Sequence, residues 1–208
     1  MRESRTRKRL DEGQAVRICG LGHFIPAFIR HAAHFGYDCI WLDLEHRAMT
    51  ERELQSLLAL FHLFDIDCML RPPTVEKTRL YRYLEDGATG LMIPHVSTPE
   101  QAAALVDAVK FPPLGNRGLD GAGLDSDFFL QGGPDYPDQA NRETFLVVQV
   151  ETPEAVANIE SIAAIEGIDG LFVGPADLGL RLSHAGDGAP SLEEATERVA
   201  AAASATGK

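Results

Sequence analysis

The sequence predicts an α/β fold of parallel strands joined by crossover helices. Three observations lead there. Apolar, β-rich runs alternate with segments of helical period along the chain. The strand-like runs are near-continuous in apolar residues rather than alternating, as strands buried on both faces are. Capping and breaking residues fall at the joins between the two kinds of segment.

In chain order, "AVRICGL" (15–21) is the first strand, and helical "PAFIRHAAHFG" (26–36) follows it to a stop at Gly36. "CIWLDL" (39–44) is the second strand. The next helix runs from Thr50 to about His62, with Thr50 as N-cap and Glu53 completing a capping box. "DCMLRPP" (67–73) is a third strand ended by its prolines, and "VEKTRLYRYLEDG" (75–87) is a helix. "GLMIPHV" (90–96) is the fourth strand, and "TPEQAAALVDAVK" (98–110) is a helix with Thr98 as cap and Pro99 in first position. A long loop is expected from Phe111 to about Asn141. "TFLVVQVE" (144–151) and "GLFVGPADL" (170–178) are the fifth and sixth strands, with "TPEAVANIESIAAIEG" (152–167) between them. "SLEEATERVAAAASATGK" (191–208) is a closing helix capped by Ser191 and stopped at Gly207.

At 208 residues, 45% hydrophobic and 24% charged, with no long linker, the chain reads as one domain over 1–208 with a sizeable core. A formal net charge of −12 argues against nucleic acid or an anionic membrane as partner, since both reward a basic face. No apolar stretch has the length of a membrane span. The basic start "RESRTRKRL" (2–10) has no apolar run behind it, so it reads as a solvated helix rather than a signal peptide. Cys19, Cys39 and Cys68 give neither a disulfide framework nor metal-type spacing and read as reduced core thiols, so a cytoplasmic location is expected.

The strand ends carry the chemistry. The second ends in Asp43, Glu45 and His46, the third in Arg71, the fourth in His95, the fifth in Gln149 and Glu151, and the sixth in Asp177. In a (β/α)₈ barrel reactive groups gather at the C-terminal ends of the strands, and this distribution points to that architecture. Glu151 and Asp177 follow consecutive strands, so two hard carboxylates share one rim. They suit Mg²⁺ or Mn²⁺, with Co²⁺ or Zn²⁺ admissible; a structural ion pair is the competing reading. Gly174, Pro175, Ala176 and Asp177 open the next segment, whose backbone N–H groups can hold a substrate carboxylate. Arg71 offers a planar fork for the same oxygens. No lysine ends a strand, which disfavours a Schiff-base route.

Together "WLDLEH", "LRPP", "GLMIPHV", "KFPPLGNRG" and "VQVETPEAVANIESIAAIEGIDGLFVGPADL" resemble the HpcH/HpaI aldolase family of metal-dependent pyruvate aldolases, over roughly residues 15 to 182. The resemblance implies Glu151 and Asp177 as metal ligands, His46 as the proton-handling histidine, Asp43 as its orienting partner, and Arg71 as the clamp on enolate and carboxylate. Gln149 matches the glutamine beside the metal. Three departures concern the aldehyde side. Glu85 stands where the family commonly has an aspartate hydrogen-bonded to the histidine pair, Arg47 replaces a small residue after Glu45-His46, and "LDGAGLDSDFF" (119–129) differs from the family pattern.

The implied reaction is reversible cleavage of a 4-hydroxy-2-oxo acid to pyruvate, or a close analogue, and an aldehyde, by a homo-oligomer when full length. Two alternatives stand beside it: a citramalyl- or acyl-CoA-type lyase on the same scaffold, which needs a basic, adenine-accepting groove, and an inactive fragment serving as an interaction module. A (β/α)₈ barrel takes about 250 residues, and six strands account for this chain. A C-terminally incomplete barrel, lacking two strands and leaving the first and sixth with open edges, is therefore expected.

Overall fold

The structure is a computed structural model that describes residues 1–186 and 188–208. Six strands form one sheet in the order β1 to β6: β1 Ile18–Leu21, β2 Cys39–Asp43, β3 Asp67–Arg71, β4 Gly90–Ile93, β5 Phe145–Val150 and β6 Gly170–Val173. β1, β2, β3 and β4 pair successively in parallel, as do β5 and β6. Sequential parallel order with helices in each connection, α5 (Pro99–Val109) among those after β4 and α7 (Pro153–Ala157) among those after β5, is the expected α/β fold. Among the described residues no helix is long and apolar enough to cross a membrane.

Packing divides the chain into two compact units, Met1–Leu91 with Ala108–Phe145, and Met92–Asp107 with Leu146–Lys208. In the first, helix α3 (Glu51–Leu63) packs on β3 and on α2 (Pro26–His34). Leu54, Leu57, Leu58 and Phe61 on α3 are buried at helical spacing, and β3 is buried at all five positions. Thr50 caps α3 with the full capping box to Glu53. In the second unit, α10 (Leu192–Thr206) lies against α8 (Ile159–Ala163), α9 (Pro175–Leu182) and β6, with Val150, Ile159, Leu178 and Val199 in a shared core. Its Ser191 capping box and left-handed Gly207 stop are as the sequence predicts. Cys39 and Cys68 are buried, Cys19 is half-buried, and all three are free thiols.

Two expectations change. The "solvated" basic N-terminus is instead a docked clasp. Its helix α1 (Arg5–Asp11) is held through Asp67, whose carboxylate is fully buried at the start of β3. Arg2 Nη2 pairs with Asp67 Oδ1 at 2.6 Å, while Ser4 Oγ and the Thr6 N–H both donate to Oδ2 at 2.7 Å. Arg5 pairs with Asp65 at 2.8 Å and Arg9 with Asp38 at 3.1 Å. Three acids at the N-terminal ends of two adjacent strands need counter-charges, and the arginine run supplies them. The long 111–141 segment is also more ordered than expected. It holds a 3₁₀ turn at Leu124–Ser126 and helix α6 (Tyr136–Glu143), which buries Tyr136 and Ala140 against Phe111. Its sequence "YPDQANRE" has too few apolar residues to show a period.

Removing one partner of a buried charge pair typically costs about 3–5 kcal/mol. Asp67→Ala, which removes the acceptor of the Ser4 and Thr6 donors and leaves Arg2 only its more exposed pairing with Asp65, should lose stability of about that size in urea unfolding. A loss below about 1 kcal/mol would contradict the clasp.

Candidate active site

The register of the sheet assembles the first group of site residues. Asp43, the last residue of β2, lies directly opposite Arg71, the last of β3. Arg71 grips Asp43 with both edges of its fork, Nε to Oδ1 at 3.0 Å and Nη2 to Oδ2 at 2.8 Å, and reaches Glu45 Oε2 through Nη1 at 2.9 Å. Its guanidinium carbon stands 4.6 Å from the Trp41 ring centroid, so the cation is stacked as well as paired. Asp43 Oδ1 also accepts the main-chain N–H groups of Glu45 at 3.0 Å and His46 at 3.3 Å, folding the chain back just past the strand. Burial acts against the Asp43 charge, but the Arg71 hydrogen bond, the His46 N–H and the Arg71 charge outweigh it. The carboxyl is thereby held below its ordinary value of 3.8.

His46 sits on this turn with its imidazole largely exposed. Its Nε2 faces Glu45 Oε2 at 3.5 Å, whereas Asp43 meets the histidine only at the main chain. The carboxylate beside the ring is thus Glu45, whose Oε2 Arg71 also holds, and not the Asp43 that the resemblance implies. A cleft of about 510 Å³ opens beside the ring, lined among others by Glu45, His46, Arg47, Met49 and Tyr83. Glu85, the last residue of α4 (Lys77–Glu85), makes no hydrogen bond or ion pair to His46. Burial raises its pKa, countered by Arg117 and reinforced by Asp125, Asp120 and Asp86. Arg117 itself is buried, bound to Asp125 at 2.9 Å and Tyr136 at 3.3 Å, with its guanidinium carbon 4.6 Å from the centre of the Phe111 ring. The "KFPPLGNRG" motif therefore anchors the 111–141 segment.

The second group belongs to the other compact unit. Glu151 follows β5 directly and is 2% exposed. Its Oε1 accepts the main-chain N–H of His95 at 2.7 Å and lies 2.7 Å from His95 Nδ1, and its Oε2 accepts Gln149 Nε2 at 2.6 Å. His95 adopts a left-handed φ of 58° to present its N–H this way. A Cβ at Gly174 would stand 2.8 Å from Gln149 Nε2 and 3.0 Å from Glu151 Oε2, so only glycine lets the chain pass this close. Pro175 then opens α9, and Asp177 lies in its first turn with about half its side chain exposed. Proline has no N–H, which leaves Ala176 and Asp177 to present theirs at the helix start.

Arg181, which the sequence reading missed, donates through Nη1 to the Glu151 main-chain oxygen at 2.8 Å and faces Asp177 Oδ1 at 3.8 Å. The only sequence signal for it is its i+4 spacing from Asp177. No group of three or more His, Cys, Asp or Glu side chains that could hold a metal ion occurs among the described residues. Two carboxylates do fit an ion such as Mg²⁺, which keeps most of its waters. Two hydrogen bonds to the Glu151 carboxylate and the close His95 Nδ1 leave acceptor capacity on Oε2, and Asp177 is open to solvent.

The family described as HpcH/HpaI aldolase/citrate lyase matches residues 21–208, which takes in residues of both units. The hydroxypyruvate/pyruvate aldolase of Deinococcus radiodurans is 37% identical over 192 residues, covering 90% of this chain and 69% of that protein. The 2-keto-3-deoxy-L-rhamnonate aldolase of Klebsiella pneumoniae is 35% identical over 181 residues, covering 85% and 67%. The crystal structure of an HpcH/HpaI aldolase from Desulfitobacterium hafniense superposes with a TM-score of 0.86 at 33% identity, covering 96% of this chain and 78% of that one.

The lowered pKa of Asp43 makes a signed prediction. A depressed folded-state pKa contributes stability above the unfolded value, and that contribution is lost as pH falls through the folded one. The stability gap between wild type and Asp43→Asn should therefore be largest near pH 7 and narrow steadily below pH of about 4. Urea midpoints that keep a constant gap down to pH of about 2 would contradict the assignment.

Proposed function

Because this chain belongs to the HpcH/HpaI aldolase/citrate lyase family, we propose that it is a divalent-metal-dependent aldolase. It would cleave 4-hydroxy-2-oxo acids reversibly to pyruvate, or a close analogue such as hydroxypyruvate, and an aldehyde. The observation that carries this reading is the buried Glu151 carboxylate, packed against the start of the helix that bears Asp177. A carboxylate hidden at a strand end, braced by Gln149 and His95, is costly unless it serves a charge.

Glu151 and Asp177 would hold the cation, whose role when bound is to stabilise negative charge developing on the substrate's 2-oxo oxygen. The remaining steps fall to this chain's own groups. Arg71, immobilised by Asp43, Glu45 and Trp41, supplies a fixed positive charge for the 2-oxo acid's carboxylate and the developing enolate. His46 removes the proton from the 4-hydroxyl. The C3–C4 bond then breaks, its electron pair passes to C3 as the pyruvate enolate, and C4 leaves as the aldehyde carbonyl. The same imidazole returns a proton to C3, giving the methyl group of pyruvate. Glu45, 3.5 Å from the ring, takes the supporting position that the resemblance gives to Asp43. The first-turn N–H groups of Ala176 and Asp177 provide a second anchor for the substrate carboxylate. The cleft beside His46 is the place for the aldehyde portion, and Arg47 on its wall makes aldehyde preference a property of this chain.

Pyruvate release from 4-hydroxy-2-oxo acids of varied length, followed with a coupled reporter, tests the reading. Chelation should abolish turnover and added Mg²⁺ or Mn²⁺ should restore it; full activity after chelation would contradict the proposal. His46→Ala should lower kcat by about 10²–10⁴-fold with Mn²⁺ affinity unchanged. Loss of the metal in that variant, or an unchanged kcat, would remove histidine from the proton-transfer role.

A further inference from the structure

Arg181 touches both candidate cation-binding positions, and nothing in the proposed chemistry uses it. Its side chain is about one-third exposed, on the next-to-last residue of α9. One arm of the fork, Nη1, donates to the main-chain oxygen of Glu151 at 2.8 Å, and the other, Nη2, lies 3.8 Å from Asp177 Oδ1. The first contact is to backbone, so it fixes where the Glu151 Cα sits without neutralising the Glu151 carboxylate. The second restrains the Asp177 carboxylate from one side through the favourable acid-before-base i,i+4 spacing. At the other end of the same stretch, Gly174 N–H donates to the Val150 oxygen at 3.0 Å, and the Gly174 Cα packs against the Glu151 carboxylate. The end of β5 and the first turn of α9 are thus tied at two points, with Glu151 and Asp177 between the ties.

Resting on the reading of Glu151 and Asp177 as cation ligands, we infer that Arg181 is a positioning residue. It sets the spacing of the two carboxylates by bridging the Glu151 main chain to the Asp177 side chain. A planar guanidinium can make both contacts at once, and a lysine ammonium cannot. The inference has a sign that separates it from simple electrostatics. Arg181 carries a positive charge close to a carboxylate, so if charge alone mattered, deleting it would tighten cation binding. If spacing matters, deletion loosens binding, as loss of groups that orient metal ligands does.

The test is Mn²⁺ titration by calorimetry on the full 208-residue chain, for wild type, Arg181→Met and Arg181→Lys, with folding checked by circular dichroism. Arg181→Met should bind Mn²⁺ about tenfold or more weakly than wild type. Arg181→Lys, which keeps the charge and loses the fork, should also bind more weakly. Affinity in Arg181→Met equal to or tighter than wild type would overturn the inference. Should Arg181→Met fail to fold, Arg181→Lys decides it: wild-type affinity there overturns it. Absence of Mn²⁺ binding in the wild-type chain would instead overturn the ligand reading on which the inference rests.

Discussion

A strand buried along its whole length can carry charge only at its ends, and there only against a partner. β3 is that case. All five of its residues are buried, and the first and last are Asp67 and Arg71. Each end recruits its own neutralising shell: Arg2, Ser4 and Thr6 around Asp67, and Asp43, Glu45 and Trp41 around Arg71. Since unpaired buried charge is so costly, these two shells fix the N-terminal segment at one end of the strand and the turn that bears His46 at the other. The β2–β3 register sets Arg71 directly opposite Asp43.

The same constraint divides labour between the two ends. Charges at the N-terminal ends are fully matched by arginines of the N-terminal segment and serve stability. At the C-terminal ends the balance favours acid. Arg71 meets two carboxylates, and Glu151 is braced by neutral donors, with an imidazole at one oxygen. That surplus of oxygen is what a cation would complete. The left-handed backbone of His95 is consistent with a strained conformation kept for the hydrogen bond it makes to Glu151.

The fold was legible because its strands are uniformly apolar and its caps are orthodox. Thr50 with Glu53, Ser191 with Glu194, and the Gly36 and Gly207 stops all behave as their chemistry requires. Asp43, His46, Arg71, Gln149, Glu151 and Asp177 were visible as polar residues interrupting apolar runs at one end of each strand. Partnership within the groups was not legible. Glu45 rather than Asp43 approaches the imidazole, although Arg71 holds both carboxylates, and Glu85 joins Arg117 and Asp125 through a segment with no periodic signal. The docking of the arginine-rich start was hidden for a similar reason: its partners, Asp38, Asp65 and Asp67, are some 30 to 65 residues away in sequence. Arg181 escaped because a cation on a helix reads as solvated unless the backbone oxygen it binds is known.

The most direct test of the account is whether the protein makes the pyruvate enolate without any aldehyde present. Pyruvate in D₂O, followed by proton NMR, should lose its methyl signal through exchange when wild-type protein and Mg²⁺ or Mn²⁺ are added. Exchange should fall to background with chelator or with Glu151→Ala. Methyl exchange that proceeds equally with chelator, or that is absent from the wild-type protein with every divalent cation tried, would contradict it.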